Sequence, residues 1–96
     1  MSKIYISGPI TGKTDYMERF EKAEKLLKSK GYSVVNPAKV NAQMPEDTTY
    51  EEYMKMSFTM LDMCQYIYML NGWHKSIGAN RELGYALGKS KNIMYE

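Results

Sequence analysis

Four short apolar runs, Ile4-Tyr5-Ile6-Ser7, Tyr32-Ser33-Val34-Val35, Tyr66-Ile67-Tyr68-Met69-Leu70 and Asn92-Ile93-Met94-Tyr95, alternate along this chain with stretches of helical periodicity. Strands that alternate with helices pair in parallel, through right-handed crossovers that lay helices on both faces of one sheet. The expected architecture is α/β: a small open parallel sheet of about four strands, flavodoxin-like or Rossmann-like. With no internal repeat, linker or low-complexity tract, residues 1–96 read as a single domain.

The first helical stretch runs from about Thr14 to Lys30, where Tyr16/Met17, Phe20, Ala23/Glu24 and Leu27 recur mostly on one face. Gly31 closes it in the manner of a C′ glycine. Its charges fall into the i,i+4 pairs Glu18-Lys22, Glu21-Lys25 and Glu24-Lys28, which mark a solvated face and not a binding patch. Asn36-Pro37 ends the second strand. From Ala38 to Thr49 there is no period and Pro45 intervenes, so this segment is expected to be a loop, and a candidate lid. Tyr53, Met56, Met60, Leu61 and Cys64 have helical spacing within Tyr50 to Cys64, and Gly78 to Gly88 is the last expected helix.

Composition narrows the function. Thirteen Lys+Arg against 11 Asp+Glu leave +2, too small and too interspersed for a nucleic-acid or membrane footprint. No run approaches transmembrane length, Met1 to Gly12 lacks a signal-peptide apolar stretch, and the single Cys64 cannot form an internal disulfide. A cytoplasmic protein acting on a small molecule is expected. A domain of 96 residues buries a modest share of its surface, and 9 Met and 9 Tyr supply adaptable contact surfaces. Both favour a homo-oligomer.

In open parallel sheets ligands bind in the crevice outside the carboxyl ends of the strands. Two such ends stand out. After the third strand, the run Ser76-Ile77-Gly78-Ala79-Asn80-Arg81-Glu82 puts Glu82 in the first turns of a helix; after the first, Ser7-Gly8-Pro9-Ile10-Thr11-Gly12 forms a Gly-rich turn whose free N–H groups suit an anion or ribose phosphate. Each has an ordinary structural reading as well. A glutamate there complements the helix dipole, and Gly-Pro makes a tight turn. Gly8 is expected to matter through backbone freedom or close approach to the ligand, so that Gly8→Val would abolish binding and leave the fold largely intact.

Two other chemistries are excluded by spacing. Ser7 to Thr14 ends like a phosphate-binding P-loop, but Ser7 stands where the first Gly is required and Gly8 comes one residue late. Asn71 follows the third strand where a magnesium-binding Asp would be needed. Cys64 and His74, ten residues apart with no third ligand at suitable spacing, make no metal site. Cys64 reads as a small core residue and His74 as a loop residue near the crevice. No metal and no cofactor are expected.

Along nearly its whole length the sequence resembles the nucleoside 2-deoxyribosyltransferase superfamily, and within it a short phage and prophage family. The residues that carry this are Ile4 to Gly12, Gly31 to Ala38, Cys64 to Trp73, Ser76 to Ala86 and Tyr95-Glu96. The resemblance implies a nucleoside or nucleotide ligand and cleavage or transfer at its N-glycosidic bond. Glu82 matches the nucleophile that attacks the anomeric carbon through an oxocarbenium-like transition state, and Tyr5 the residue that orients it. Substrate contacts are expected from Ser7, Gly8, Pro9, Ile10, Thr11, Asn71, Ser76 and Gly78. Ser76 matches an Asp that holds the sugar in deoxyribosyltransferases and a Ser that touches phosphate in relatives hydrolysing nucleoside 5′-monophosphates, which points to a nucleotide.

Two positions depart from that pattern. An acid that assists the leaving base would be expected near Ser57, and the Asp usual before the third strand is Gln65. Such an acid contributes about 10²–10⁴-fold. Its absence favours the alternative of a non-catalytic nucleotide-binding or sequestering protein of phage origin, unless Asp62, His74 or a neighbouring subunit supplies the proton.

Overall fold

The computed structural model describes residues 2–10 and 14–96. In chain order these form β1 (Lys3–Ser7), α1 (Tyr16–Ser29), β2 (Ser33–Val35), α2 (Pro37–Asn41), α3 (Tyr50–Asp62), β3 (Tyr66–Met69), a 3₁₀ turn (Trp73–Lys75), α4 (Ile77–Gly88) and β4 (Asn92–Tyr95). The four strands pair in parallel in the order β2-β1-β3-β4, with Tyr5 level with Val35 on one side and Ile67 on the other. The expected parallel α/β sheet is present.

Side chains of β1 alternate between faces, as strand geometry requires. Ile4 and Ile6 pack with Phe20, Ala23 and Leu27 of α1 and with Ala38 of α2. Tyr5 packs on the other face with Leu61 of α3 and Ala79 and Ala86 of α4. The chain therefore winds from β1 to β2 over one face and returns over the other to β3 and β4. Its direction reverses between β1 and β3, and that reversal is where an open α/β sheet forms its crevice.

Two local readings change. Asn36-Pro37 does more than end β2: the Asn36 side chain accepts from the Ala38 N–H at 3.1 Å and Pro37 takes the first helical position, so α2 forms where a loop was expected. Turns fill the remainder up to Thr49. In α3 the buried stripe is Met54, Ser57, Met60 and Leu61, rotated from the expected one, with Tyr53 and Met56 only half-buried. Thr49 starts this helix with a reciprocal cap, accepting from the Glu52 N–H at 3.1 Å while Glu52 accepts from the Thr49 N–H at 2.8 Å.

Glu24 is the one charged side chain of α1 drawn into the core. It accepts from Asn36 Nδ2 at 3.0 Å and pairs with Lys28 at 2.7 Å and Lys39 at 3.1 Å, which ties α1 to the β2–α2 junction. Burial opposes its charge, but hydrogen bonds from Lys28, Asn36 and Lys39 outweigh that and pull its pKa down to about 2. Of the expected pairs, Glu21-Lys25 also closes, at 4.0 Å.

Candidate functional site

Tyr5 and Ser7 are two residues apart on β1 and so point to the same face. Opposite them, Glu82 shares the inward face of α4 with Ala79 and Ala86, small buried residues that let the helix approach the sheet. The carboxylate consequently reaches β1. The Tyr5 hydroxyl donates to Glu82 Oε2 at 2.8 Å and the Ser7 hydroxyl to Oε1 at 2.6 Å. All three are buried, with Glu82 8% exposed. Ser57, buried midway along α3, places a third hydroxyl beside Tyr5 and Glu82.

Among the described residues, the partners of this carboxylate are hydroxyls and not cations. Burial therefore dominates and raises the Glu82 pKa, while hydrogen bonds from Ser7, Tyr5 and Ser57 pull it back. Tyr5 is raised well above the usual phenol range, by burial first and then by the neighbouring carboxylate. A desolvated carboxylate fixed at both oxygens can stabilise a cation or bond to it. No cluster of three or more His, Cys, Asp or Glu suited to a metal occurs among the described residues.

The family model described as "Domain of unknown function (DUF4406)" matches residues 2–95. The chain belongs to this family. No curated protein matches the sequence. Among solved structures, the 2-deoxyribosyltransferase of Bacillus psychrosaccharolyticus superposes with a TM-score of 0.78 at 20% identity, over 98% of this chain and 71% of that one. The 2-deoxyribosyltransferase of Leishmania mexicana superposes with a TM-score of 0.75 at 21% identity, over 99% of this chain and 63% of that one. At such identities the likeness is one of fold. The DUF4406 chain is thus built on the fold seen in 2-deoxyribosyltransferases.

The other candidate positions of this DUF4406 domain divide into several groups. Gly8 and Pro9 are buried at the end of β1, and a Cβ on Gly8 would lie 2.8 Å from Leu70 Cβ, so close packing against β3 is what demands glycine there. The expectation that Gly8→Val would spare the fold is therefore wrong. Ile10 is half-buried against the core on the α1 side, away from the Tyr5 face. Thr11, with Gly12, lies outside the described residues. Asn71 is held through its backbone, its N–H donating to Glu96 Oε1 at 2.7 Å and its carbonyl accepting from Arg19 Nη2 at 2.6 Å. Ser76 caps α4, its hydroxyl accepting from the Ala79 N–H at 3.1 Å. Gly78 sits under α3: a Cβ there would be 3.5 Å from the Tyr50 hydroxyl and 3.8 Å from Met54 Sδ.

Of the proposed substitutes for the missing acid, Asp62 and His74 make no hydrogen bond to Glu82 among the described residues. Asp62 accepts from the Tyr85 hydroxyl at 2.7 Å, and its backbone carbonyl accepts from Lys91 Nζ at 3.1 Å. It lies near the start of β4, at the amino edge of the sheet. Gln65 is at that same edge, accepting from the Lys3 N–H at 2.9 Å, so an acid there would not face Glu82. His74 is exposed on the 3₁₀ turn with its ring against Trp73. A cleft of about 460 Å³, lined by His74, Lys75, Ser76, Ile77, Asn80 and Arg81, lies beside the start of α4 and does not include Glu82. Ser57, by contrast, does stand next to Glu82 and Tyr5.

Tyr50 and Met54 of α3 lie next to Gly78, a contact that the sequence alone did not indicate. With Ser57 they stand at i, i+4 and i+7, one face of α3, and that spacing was the available signal.

Proposed function

We propose that this domain binds a nucleoside or nucleotide at the carboxyl ends of β1 and β3 and cleaves or transfers at its N-glycosidic bond, with Glu82 as nucleophile. The observation that carries this reading is the clamp of Tyr5 and Ser7 on the two oxygens of a buried Glu82. It gains weight from the fold shared with 2-deoxyribosyltransferases. In the first step a Glu82 oxygen bonds to the anomeric carbon as the carbon–nitrogen bond breaks; the bonding pair leaves with the base, which takes a proton from water. Water, or a second base, then attacks the same carbon and releases the carboxylate. Pro9, Ser76 and Gly78 border the crevice, and the Ser76 hydroxyl, which accepts from the Ala79 N–H, can still donate its proton to a phosphate or sugar oxygen.

One observation favours a second reading. Ser57, not an acid, is the α3 residue beside Glu82, and a serine is a poor proton donor to a leaving base. A nucleotide-binding or sequestering protein of phage or prophage origin, without turnover, would need no such donor. The domain is further proposed to act as a cytoplasmic homo-oligomer, with Ile77, Leu87 and Met63 exposed on α4 and next to α3 as contact residues. Light scattering that reports only monomer at micromolar concentration would reject this.

Incubating wild type and Glu82→Gln with each deoxynucleoside and its 5′-monophosphate, and following free base by chromatography, decides between the two readings. Release by wild type alone supports the nucleophile. Equal release by both proteins rejects it, and tight binding without release by either selects the sequestering protein.

A further inference from the structure

Among the described residues, the buried polar and charged ones are Ser7, Glu24, Asn36, Ser57 and Glu82. Glu24 and Asn36 are bonded to each other on the α1 side of the sheet, where Lys28 and Lys39 neutralise the carboxylate. The other three form, with Tyr5, a single cluster on the opposite face: one carboxylate met by three hydroxyls, with no second acid and no cation buried beside it. Outside the described residues the chain has Met1, Thr11, Gly12 and Lys13, none of them a carboxylic acid or a histidine.

A neutral nucleobase leaves an anomeric carbon with an extra electron pair on nitrogen, and a positioned acid that protonates it there contributes about 10²–10⁴-fold. The Glu82 cluster holds no such acid. Serine hydroxyls are poor proton donors, and the Tyr5 proton is held by burial first and then by the neighbouring carboxylate. What the cluster does offer is negative charge. Ionised Glu82 sits where water is excluded, and a cation placed beside it is attracted far more strongly than in solvent. In the free protein no described Lys, Arg or His is buried with Glu82 to use that attraction.

We propose that this site acts on N-glycosides whose base already carries a positive charge: an N-glycosyl pyridinium, or an N7-alkylated purine nucleoside, or the 5′-monophosphate of either. This rests on the functional reading given above and names the class of base within it. As a Glu82 oxygen bonds to the anomeric carbon, the pair of the breaking carbon–nitrogen bond flows into the cationic ring and neutralises it. The base departs as a neutral molecule and no proton moves. Water then attacks the same carbon, gives a proton to solvent and releases the carboxylate. The positive charge that faces Glu82 on the base before the reaction passes to the sugar in the oxocarbenium-like transition state, so the same carboxylate serves both.

Wild type and Glu82→Gln are incubated at neutral pH with three pairs, each as nucleoside and as 5′-monophosphate: N7-methylguanosine with guanosine, N7-methyl-2′-deoxyguanosine with 2′-deoxyguanosine, and nicotinamide riboside with uridine. Free base is followed by chromatography and spontaneous loss is subtracted. Wild type should release base from the cationic member with a kcat/KM at least about 100-fold above that of its neutral partner, the lower end of what a missing acid withholds. Glu82→Gln should release neither above the spontaneous rate. The pairs that respond tell the pyridinium from the alkylpurine. A site equipped with a proton donor, from this chain or a neighbouring subunit, cleaves both members of a pair comparably, because its acid creates the cationic base in place. Comparable kcat/KM values therefore overturn the inference and leave the functional reading standing. Release from no pair by wild type, or cationic release that persists in Glu82→Gln, rejects the functional reading and this inference with it.

Discussion

Ser7 Oγ stands 2.6 Å from Glu82 Oε1, the carboxylate oxygen that Tyr5 does not engage. The sequence reading had given Ser7 to the substrate. In the folded chain its hydroxyl is spent on the carboxylate, in a setting where a hydrogen bond to a charged group contributes roughly 1.5–3 kcal/mol.

Removing that bond should therefore act on the ionisation of Glu82. In Ser7→Ala the carboxylate loses a donor that holds its pKa down, and burial then drives it higher. If Glu82 must be ionised to react, the acid limb of the pH profile for base release should move to higher pH. Ligand affinity measured at pH 8 should change little. A profile that does not move would return Ser7 to a substrate-binding role.

Glu82 itself carries a cost in stability. Its folded pKa is raised above the unfolded value, so the carboxyl favours folding most when protonated, and that favour declines as pH rises through the unfolded and then the folded pKa. Above the unfolded pKa the folded protein must either hold a buried anion that no described cation pairs with or keep a proton that the unfolded chain releases, and both cost stability. Glu82→Gln should accordingly melt no lower than wild type at pH 7, and the difference should shrink toward pH 4. A variant that is markedly less stable at pH 7 would show that the ionised form is better solvated than its burial implies.

Much of this architecture is legible in the chain because local signals and tertiary demands agree. Strand runs at Ile4 to Ser7 and Asn92 to Tyr95, the C′ glycine at Gly31 and the apolar stripe of α1 each say what the fold does. The misses have separate causes. α2 rests on a cap and a proline at Asn36-Pro37, in which the chain-ending role of proline was read and its helix-starting role was not. The Glu82 to Tyr5 bond spans 77 residues, and no periodicity announces it; only the family resemblance brought the two together. The closeness of Ser57 to Glu82 and the partners of Asp62 at the amino edge both depend on helix direction and strand register, which no local signal gives.

Gly8 separates packing from ligand contact. A Cβ at this position would meet Leu70 Cβ at 2.8 Å and Cδ1 at 2.9 Å, and Leu70 is fully buried with its N–H bonded to the Ser7 carbonyl. Gly8→Ala should destabilise the domain by about 1–3 kcal/mol through overpacking, and Gly8→Val by more. Thermal melting should show a loss of roughly 5–20 °C for Ala. Shortening the obstacle tests the cause: Leu70→Ala combined with Gly8→Ala should lose less than the sum of the single changes. Strict additivity would remove Leu70 as the reason for the glycine.

Acid should weaken the fold through the junction of α1 with α2. Glu24 has a folded pKa of about 2, below the ordinary carboxylate value of 4.5, because Lys28, Asn36 and Lys39 hold its charge. A depressed pKa gives stability that is present in full above the unfolded value and is lost as pH falls through the folded one. The window is therefore from about pH 4.5 down to about pH 2. Both lysines are half-exposed, so screening reduces the contribution to about 1–2 kcal/mol. Urea unfolding from pH 6 to pH 2.5 should show wild type losing this stability across the window. Glu24→Gln keeps the Asn36 hydrogen bond but not the charge, and should start lower at pH 6 and lose less. Parallel curves for the two proteins would mean that Glu24 contributes nothing through its ionisation, and that the acid sensitivity belongs to another carboxylate.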